Sequence, residues 1–322
     1  MKTVTVVIPT YNEEENIPLV YQRVTTLFQE RLVDYRYEIQ FIDNCSTDNS
    51  RRKILDLAEE DPHVKAIFNA KNFGFTRSTF YGLTQAEGDC AVLLFADMQD
   101  PPEVIPAFVE KWEQGAKIVT GIKQQSKESP IMYLIRKCYY FVIKRISEID
   151  HIAQFDGFGL YDASFISVLR QLDDPLPYLR GIVAELGYQR AEVSYTQEKR
   201  IHGKTSFNFM RLYDQAMLGI TSYSKIVMRL ATMIGFFVAI ISLVIAGVTF
   251  VYKLLHWESF PMGNAAISIG VFFFGAVQLF FIGLLGEYVL SINSRVLHRP
   301  LVIEEKRVNF NEADVMDSRR TP

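Results

Sequence analysis

Two stretches toward the C-terminal end of the chain carry no formal charge: Leu230–Tyr252, 23 residues, and Ser259–Gly286, 28 residues. At ~1.5 Å per residue a 23-residue helix reaches ~34 Å, against ~30 Å for the hydrocarbon core of a bilayer. Neither stretch has the polar stripe that a helix on the surface of a soluble domain needs. Apolar runs buried in soluble cores usually end after ~10–14 residues. The pattern predicts two membrane-spanning helices, about 230–252 and 264–286 within residues 227–290, joined by the short connector Lys253–Glu258 into a hairpin. Arg200, Lys204, Arg211, Lys225 and Arg229 precede the first span, and Arg295, His298, Arg299, Lys306 and Arg307 follow the second. The connector offers only Lys253 and His256. The positive-inside rule then places both ends of the chain on the cytoplasmic side of the cell membrane.

Phe209, Leu212, Tyr213, Ala216 and Met217 recur at helical spacing, with Arg211, Asp214 and Gln215 off the stripe. They predict an amphipathic helix over 205–226, lying in the membrane interface or packed on the soluble part. Residues 132–146 alternate apolar and basic and are open to the same two readings. Residues 291–322 read as a polar cytoplasmic tail. A net charge of −3 gives no electrostatic case for nucleic-acid binding. Cys45, Cys90 and Cys138 are spaced for neither a disulfide framework nor a zinc site.

The first 122 residues alternate between two periods. Thr3–Thr10, Tyr37–Asp43, Val64–Phe68, Cys90–Ala96 and Lys117–Gly121 are apolar, β-branched runs that read as strands. Between the first two, Ile17, Val20, Tyr21, Val24, Leu27 and Phe28 fall on one helical face. Such alternation predicts an α/β domain over 1–204 with a mostly parallel sheet covered on both faces. In that architecture ligands bind off the carboxyl ends of the strands.

Those ends read Pro9-Thr-Tyr-Asn-Glu13, Asp43-Asn-Cys-Ser-Thr-Asp48, Lys71-Asn-Phe-Gly74 and Asp97-Met-Gln-Asp-Pro-Pro-Glu103. Helix starts account for part of this. Asn12 with Glu15 has the spacing of a capping box, Asp48 can cap the second helix, and Asp100-Pro-Pro-Glu103 reads as an N-cap, two first-turn prolines and an acid. Asp43, Asp97 and Gln99 remain unexplained by capping. Two oxygen ligands two residues apart can share one face of an extended segment, and a hard cation shared with phosphates takes few protein ligands of this kind.

In this order, P-x-Y-N-E, D-x-x-S-T-D, N-x-G and A-D-x-Q-D-P-P-E, the sequence resembles the inverting family-two glycosyltransferases of the GT-A fold. More narrowly it resembles the polyprenyl-phosphate glycosyltransferases, among them the bactoprenol glucosyltransferases and dolichol-phosphate mannose synthase. The likeness runs through Arg200–Ser206 and both apolar stretches, and Phe158-Gly-Leu-Tyr161 is similar to the glucosyl branch. The resemblance implies a GT-A Rossmann-like domain, the interface helix and the membrane hairpin. It implies that Pro9, Tyr11 and Glu13 border the nucleotide and that Asp43 contacts its base or ribose. Asp97 and Gln99 would hold Mg²⁺ or Mn²⁺ against the diphosphate, Asp156 would face the sugar, and Arg200 and Lys204 would hold phosphate. The donor it favours is UDP-glucose, with GDP-mannose or UDP-GlcNAc as alternatives, and the acceptor is polyprenyl (undecaprenyl) phosphate. Three positions depart from the family pattern: Phe95 replaces the first acid of D-x-D, Asn44-Cys45 replaces Asp-Gly, and Gly159 stands where many relatives have Arg.

Two other readings compete. A processive polysaccharide synthase shares the early motifs, but Q-x-x-R-W is absent: Trp112 follows Lys111 and Trp257 follows His256. An inactive membrane scaffold is supported by Phe95 and opposed by Asp97, Gln99 and Asp156. Glycines in the hairpin allow self-association into a homo-oligomer.

Overall fold

The computed structural model describes residues 1–125, 152, 154–198, 264–297 and 299–310, with scattered helical positions between 233 and 255. Two compact units divide the chain: Met1–Tyr140, Asp150–Asn208 and Leu297–Pro322 form the first, and Phe141–Ile149 with Phe209–Val296 the second.

In the first unit the β-branched runs become strands close to where their periodicity places them: β1 (Thr3–Thr10), β2 (Arg36–Asp43), β3 (Val64–Asn69), β4 (Cys90–Leu93) and β5 (Ile118–Gln125). Helices α1 (Ile17–Arg31), α2 (Ser50–Glu60), α3 (Phe75–Thr84) and α4 (Ile105–Glu113) separate them. Then come β6 (Gly159–Asp162), α5 (Ala163–Gln171), α6 (Leu179–Glu185), β7 (Arg190–Thr196) and, after the second unit, β8 (Glu304–Val308). They build one eight-stranded sheet in the order β7-β5-β6-β4-β1-β2-β3-β8. Strands β4-β1-β2-β3 are parallel, β6 is antiparallel to both β4 and β5, β7 is parallel to β5, and β8 is antiparallel to β3.

The period of two along β1 sorts the core into two layers. Val4, Val6 and Ile8 pack with Val20, Val24 and Phe28 of α1, Ile54 of α2 and Phe108 and Trp112 of α4. Val7 faces the opposite way, with Phe80 and Leu83 of α3, Phe165 and Leu169 of α5 and Ile182 of α6. Helix α3 lies close enough that a Cβ on Gly82 would stand 2.8 Å from Ile42 Cγ2. The buried Gln40 Nε2 donates to the Gly82 carbonyl at 2.7 Å.

Strand β8 corrects one sequence expectation. Residues 291–322 read as a tail, yet Glu304–Val308 within them pairs with β3 from Ala66 to Asn69. Arg307 donates to Glu304 and Gln85 at 2.5 Å each and to Tyr81 at 3.2 Å, and Asn309 Nδ2 donates to the Ala58 and Val64 carbonyls. Long-range bonds fix this strand, and no local periodicity announces them.

In the second unit, α7 runs from Asn264 to Val296, ten residues beyond the expected end at 286. Its Val271, Leu279, Phe280, Ile282 and Leu285 are exposed. Gly235 and Val238 of the earlier apolar stretch line one groove with Phe274, Val277, Phe281 and Leu285. Among the described residues no helix is long and apolar enough to cross a membrane. Residues 205–226 and 132–146 lie outside the described residues, as does most of 230–252.

Candidate active site

Four parallel strands end on the same edge, and each turns away through a left-handed residue: Asn12 (φ 56°) after β1, Cys45 (φ 63°) after β2, Gly74 (φ 89°) after β3 and Met98 (φ 60°) after β4. Three of these are not glycine, which is uncommon and characteristic of loops held in place by their surroundings. Because β6 is antiparallel with Gly159 opposite Leu93, the residues just before it arrive at the carboxyl end of β4. Asp156 is thereby brought to the edge that carries Asp97. Strand β5 runs past the start of β6, and its Lys123 pairs across to Tyr195 of β7.

Asp156 Oδ2 lies 2.5 Å from Lys123 Nζ, and its Oδ1 accepts from the Phe158 N–H at 3.3 Å. The same ammonium is 3.8 Å from Asp100 Oδ1, to which Tyr195 donates its hydroxyl at 2.5 Å. Burial and the neighbouring Asp156 carboxylate push the Asp100 carboxyl up to about 7. Burial pulls the Lys123 ammonium down, but Asp156 and Asp100 outweigh it and hold it above its ordinary value. Burial, with Asp156 and Asp100 adding to it, pushes the Tyr195 phenol well up. A buried charge is costly unless it is paired, and this group meets that condition internally.

Asp97 and Gln99 are joined by a tight turn in which the Gln99 N–H donates to Asp97 Oδ1 at 3.2 Å. Met98 is buried and left-handed, so the segment is not extended and the two side chains do not share a strand face as expected. Beyond the turn, the Glu198 N–H donates to the Gln99 carbonyl at 2.9 Å, and Arg23 of α1 grips both Glu103 and Glu198. Three arms therefore fix the loop.

The β1 and β2 loops are laced together. Asn12 Oδ1 accepts from the Thr47 N–H at 2.8 Å, the Asn12 N–H donates to Ser46 Oγ, and the Glu13 N–H donates to Ser50 Oγ. Asp43 is fully buried, its oxygens accepting from the Ser46 N–H and standing 3.1 Å from Arg51 Nε. Burial raises its carboxyl above the ordinary value, against the pull of Ser46 and Arg51. Pro9 lies in β1, Tyr11 is exposed and Glu13 takes the Asn16 amide at 2.5 Å.

The expected edge residues Pro9, Tyr11, Glu13, Asp43, Asp97, Gln99 and Asp156 thus fall on one edge of the sheet, in two groups. Arg200 and Lys204 lie outside the described residues. Two capping assignments are corrected. Helix α1 begins at Ile17 behind Asn16, so Asn12 caps nothing and instead ties two loops. Helix α4 and the 3-10 turn Pro102–Val104 before it start without a side-chain cap, because Asp100 points into the cluster and Glu103 pairs with Arg23. Asp48 stands one residue ahead of the N-cap of α2, Asn49, and accepts from the Ser50 N–H at 2.9 Å from there.

A family description, glycosyl transferase family 2, matches residues 5–169 of this chain. The chain belongs to glycosyl transferase family 2. Its sheet, with β6 reversed between parallel neighbours, is of the GT-A kind. The SfII prophage-derived bactoprenol glucosyl transferase of Shigella flexneri is 35% identical over 304 residues, 94% of this chain and 97% of that protein. The prophage bactoprenol glucosyl transferase homolog of Escherichia coli is 32% identical over 307 residues, 93% and 97% of the two chains. A solved mannosyltransferase from Pyrobaculum calidifontis, in complex with GDP-Man and Mn²⁺, is 18% identical with a TM-score of 0.45, over 68% of this chain and 61% of that one.

For this family-two glycosyltransferase, sequence reasoning missed Lys123, Tyr195 and Arg51 and gave Asp100 a different role. Lys123 did leave a signal, a charge directly after the uncharged run Ile118–Ile122 within one strand-like segment. Among the described residues no three carboxylates, imidazoles or thiols converge as a metal cage. The Asp97–Gln99 turn offers hard oxygen atoms, a donor set that suits Mg²⁺ or Mn²⁺ completed by phosphate oxygens and water.

Proposed function

We propose that this enzyme is a membrane-bound inverting glucosyltransferase that moves glucose from UDP-glucose to undecaprenyl phosphate at the cytoplasmic face of the cell membrane. The observation that carries the reading is similarity along nearly the full length to bactoprenol glucosyl transferases, both apolar stretches included. The group of Asp97, Asp100, Lys123 and Asp156, with Asp100 buried and the others partly so, supports it from the chemistry. The uncharged first 23 residues of α7, with Val271, Leu279, Phe280, Ile282 and Leu285 exposed among them, support the membrane assignment.

In this reading residues 1–204 form the catalytic domain, 205–226 the interface helix and 227–290 the hairpin. The β1 and β2 loops, with Pro9, Tyr11, Glu13 and Asp43, border the nucleotide. Asp97 and Gln99 hold a divalent cation, which when bound neutralises the departing diphosphate as a Lewis acid. The acceptor phosphate is ionised near neutral pH, its second pKa being about 6, so no strong base is needed. One of its oxygens bonds to the anomeric carbon as the bond from that carbon to the diphosphate breaks, and UDP leaves with the electron pair. Attack from the face opposite the diphosphate gives a β-linked product from an α-linked donor. Asp156, held by Lys123, orients the sugar and acceptor. Arg200 and Lys204 hold phosphate oxygens, Arg through its planar fork and Lys as a point charge.

The test offers radiolabelled UDP-glucose, UDP-GlcNAc and GDP-mannose with undecaprenyl phosphate in detergent, with and without EDTA. Labelled lipid from UDP-glucose alone, abolished by EDTA and restored by Mg²⁺ or Mn²⁺, is the expected result. Transfer from another donor would overturn the glucose assignment, and EDTA-resistant transfer the metal role. Asp97→Ala is expected to lose transfer with the fold intact by circular dichroism.

A further inference from the structure

Arg51 of α2 stands between two carboxylates that lie 262 positions apart in the chain. Its Nε is 3.1 Å from Asp43 Oδ2, and its Nη2 is 2.7 Å from Glu305 Oε2. Asp43 is fully buried at the end of β2, whereas the Glu305 side chain is 55% exposed on β8. The guanidinium also lies over the Phe68 ring, 5.1 Å from its centroid, and reaches the Asn69 carbonyl. A planar fork with donors on two edges can hold two carboxylates at once, which an ammonium cannot do with fixed direction. Strand β8 is itself anchored by Arg307 and Asn309, so Glu305 is a fixed point for Arg51.

We propose that Glu305 and Arg51 are positioning residues for the nucleotide: Glu305 orients Arg51, Arg51 holds Asp43, and Asp43 sets the Asn44–Thr47 loop that borders the donor. The inference rests on the reading above that this loop lines the nucleotide site. Asp43 accepts from the Ser46 N–H, Ser46 Oγ accepts from the Asn12 N–H, and Asn12 Oδ1 accepts from the Thr47 N–H. A displaced Asp43 therefore disturbs both loops. The chain places one anchor of its donor site in the segment that follows its apolar helix.

The experiment measures kcat and KM for UDP-glucose, and KM for undecaprenyl phosphate, in the full-length enzyme and in D43N, R51K, E305Q and R51K/E305Q. Glu305 is on the surface, so E305Q keeps the fold. An exposed ion pair contributes at most ~1 kcal/mol, which bounds the effect of E305Q at about five-fold. Expected are a two- to five-fold rise in the UDP-glucose KM for E305Q and about ten-fold for R51K, with kcat and the acceptor KM unchanged. The double variant matches R51K, because Glu305 works through Arg51. Multiplying effects, or an unchanged E305Q beside an impaired D43N, would overturn the relay alone. An unchanged D43N would overturn the placement of the β2 loop at the nucleotide, and the relay with it. Wild-type enzyme inert toward UDP-glucose would overturn the proposed donor and the relay's role together.

Discussion

At the carboxyl edge of this sheet the Lys123 ammonium separates a buried carboxylate, Asp100, from a half-buried one, Asp156. With Asp156 at 2.5 Å and Asp100 at 3.8 Å, Lys123 neutralises a region into which two further anions, a diphosphate and a lipid phosphate, would have to come. Lys123→Met is expected to lower kcat by roughly 10²-fold, the scale for removing one preorganised electrostatic group, while UDP binding measured by calorimetry stays intact. Unchanged turnover would make the lysine structural only. Asp156→Asn is expected to slow transfer and to spare UDP affinity, since its contacts run to Lys123 and Phe158 and not to the β1 and β2 loops. The sequence displayed Asp97 and Gln99 because each is a polar residue at a predictable strand end, whereas Asp156, ahead of a strand that no local pattern marked, came only from the family resemblance. It hid the roles of Asn12 and Asp100, because a polar residue ahead of a helix looks the same locally whether it caps that helix or reaches across to another strand.

Among the described glycines the one that opens strand β6 has the least room. Gly159 is buried between Leu93 and Thr120, and a Cβ there would run into the Val119 carbonyl oxygen. Gly159→Ala is expected to cost ~1–3 kcal/mol as the ladder separates, read as a lower urea midpoint in detergent. An arginine on this backbone has no room. At the other end of the strand, Asp162 accepts from Trp112 Nε1 at 2.7 Å and the Ser164 N–H at 2.9 Å, and pairs with Lys117 at 3.2 Å. Burial raises its carboxyl, but the hydrogen bonds from Ser164 and Trp112, with Lys117, outweigh that and hold it below the ordinary value. Stability from this group is therefore full above the unfolded value of ~3.9 and is lost as pH falls through the folded one. The stability gap between wild type and Asp162→Asn is expected to narrow between pH 6 and pH 3; a constant gap would deny the linkage. Strands β1 to β5 were legible because their β-branched runs are local signals. Strand β8, Glu304-Glu-Lys-Arg-Val308, was not, since charged residues suit an edge strand and nothing nearby marks them as paired.

At the scale of the whole molecule, the sheet domain is discontinuous in sequence. Its last strand follows the apolar unit, and it covers the free side of β3. A chain emerging from the ribosome completes seven strands, then some sixty-seven residues between Thr196 and Asn264 and the thirty-three of α7, before that side is closed. Throughout that interval β3 offers an open row of backbone donors and acceptors, the kind of template on which nascent chains stick to one another. A fragment stopped at Glu198 would keep that hazard permanently, so it is expected to elute as aggregate in gel filtration where the intact protein in detergent does not. Completion of the apolar segment thus doubles as a checkpoint: only a chain that has been made past its lipid-like stretch can seal its own catalytic half.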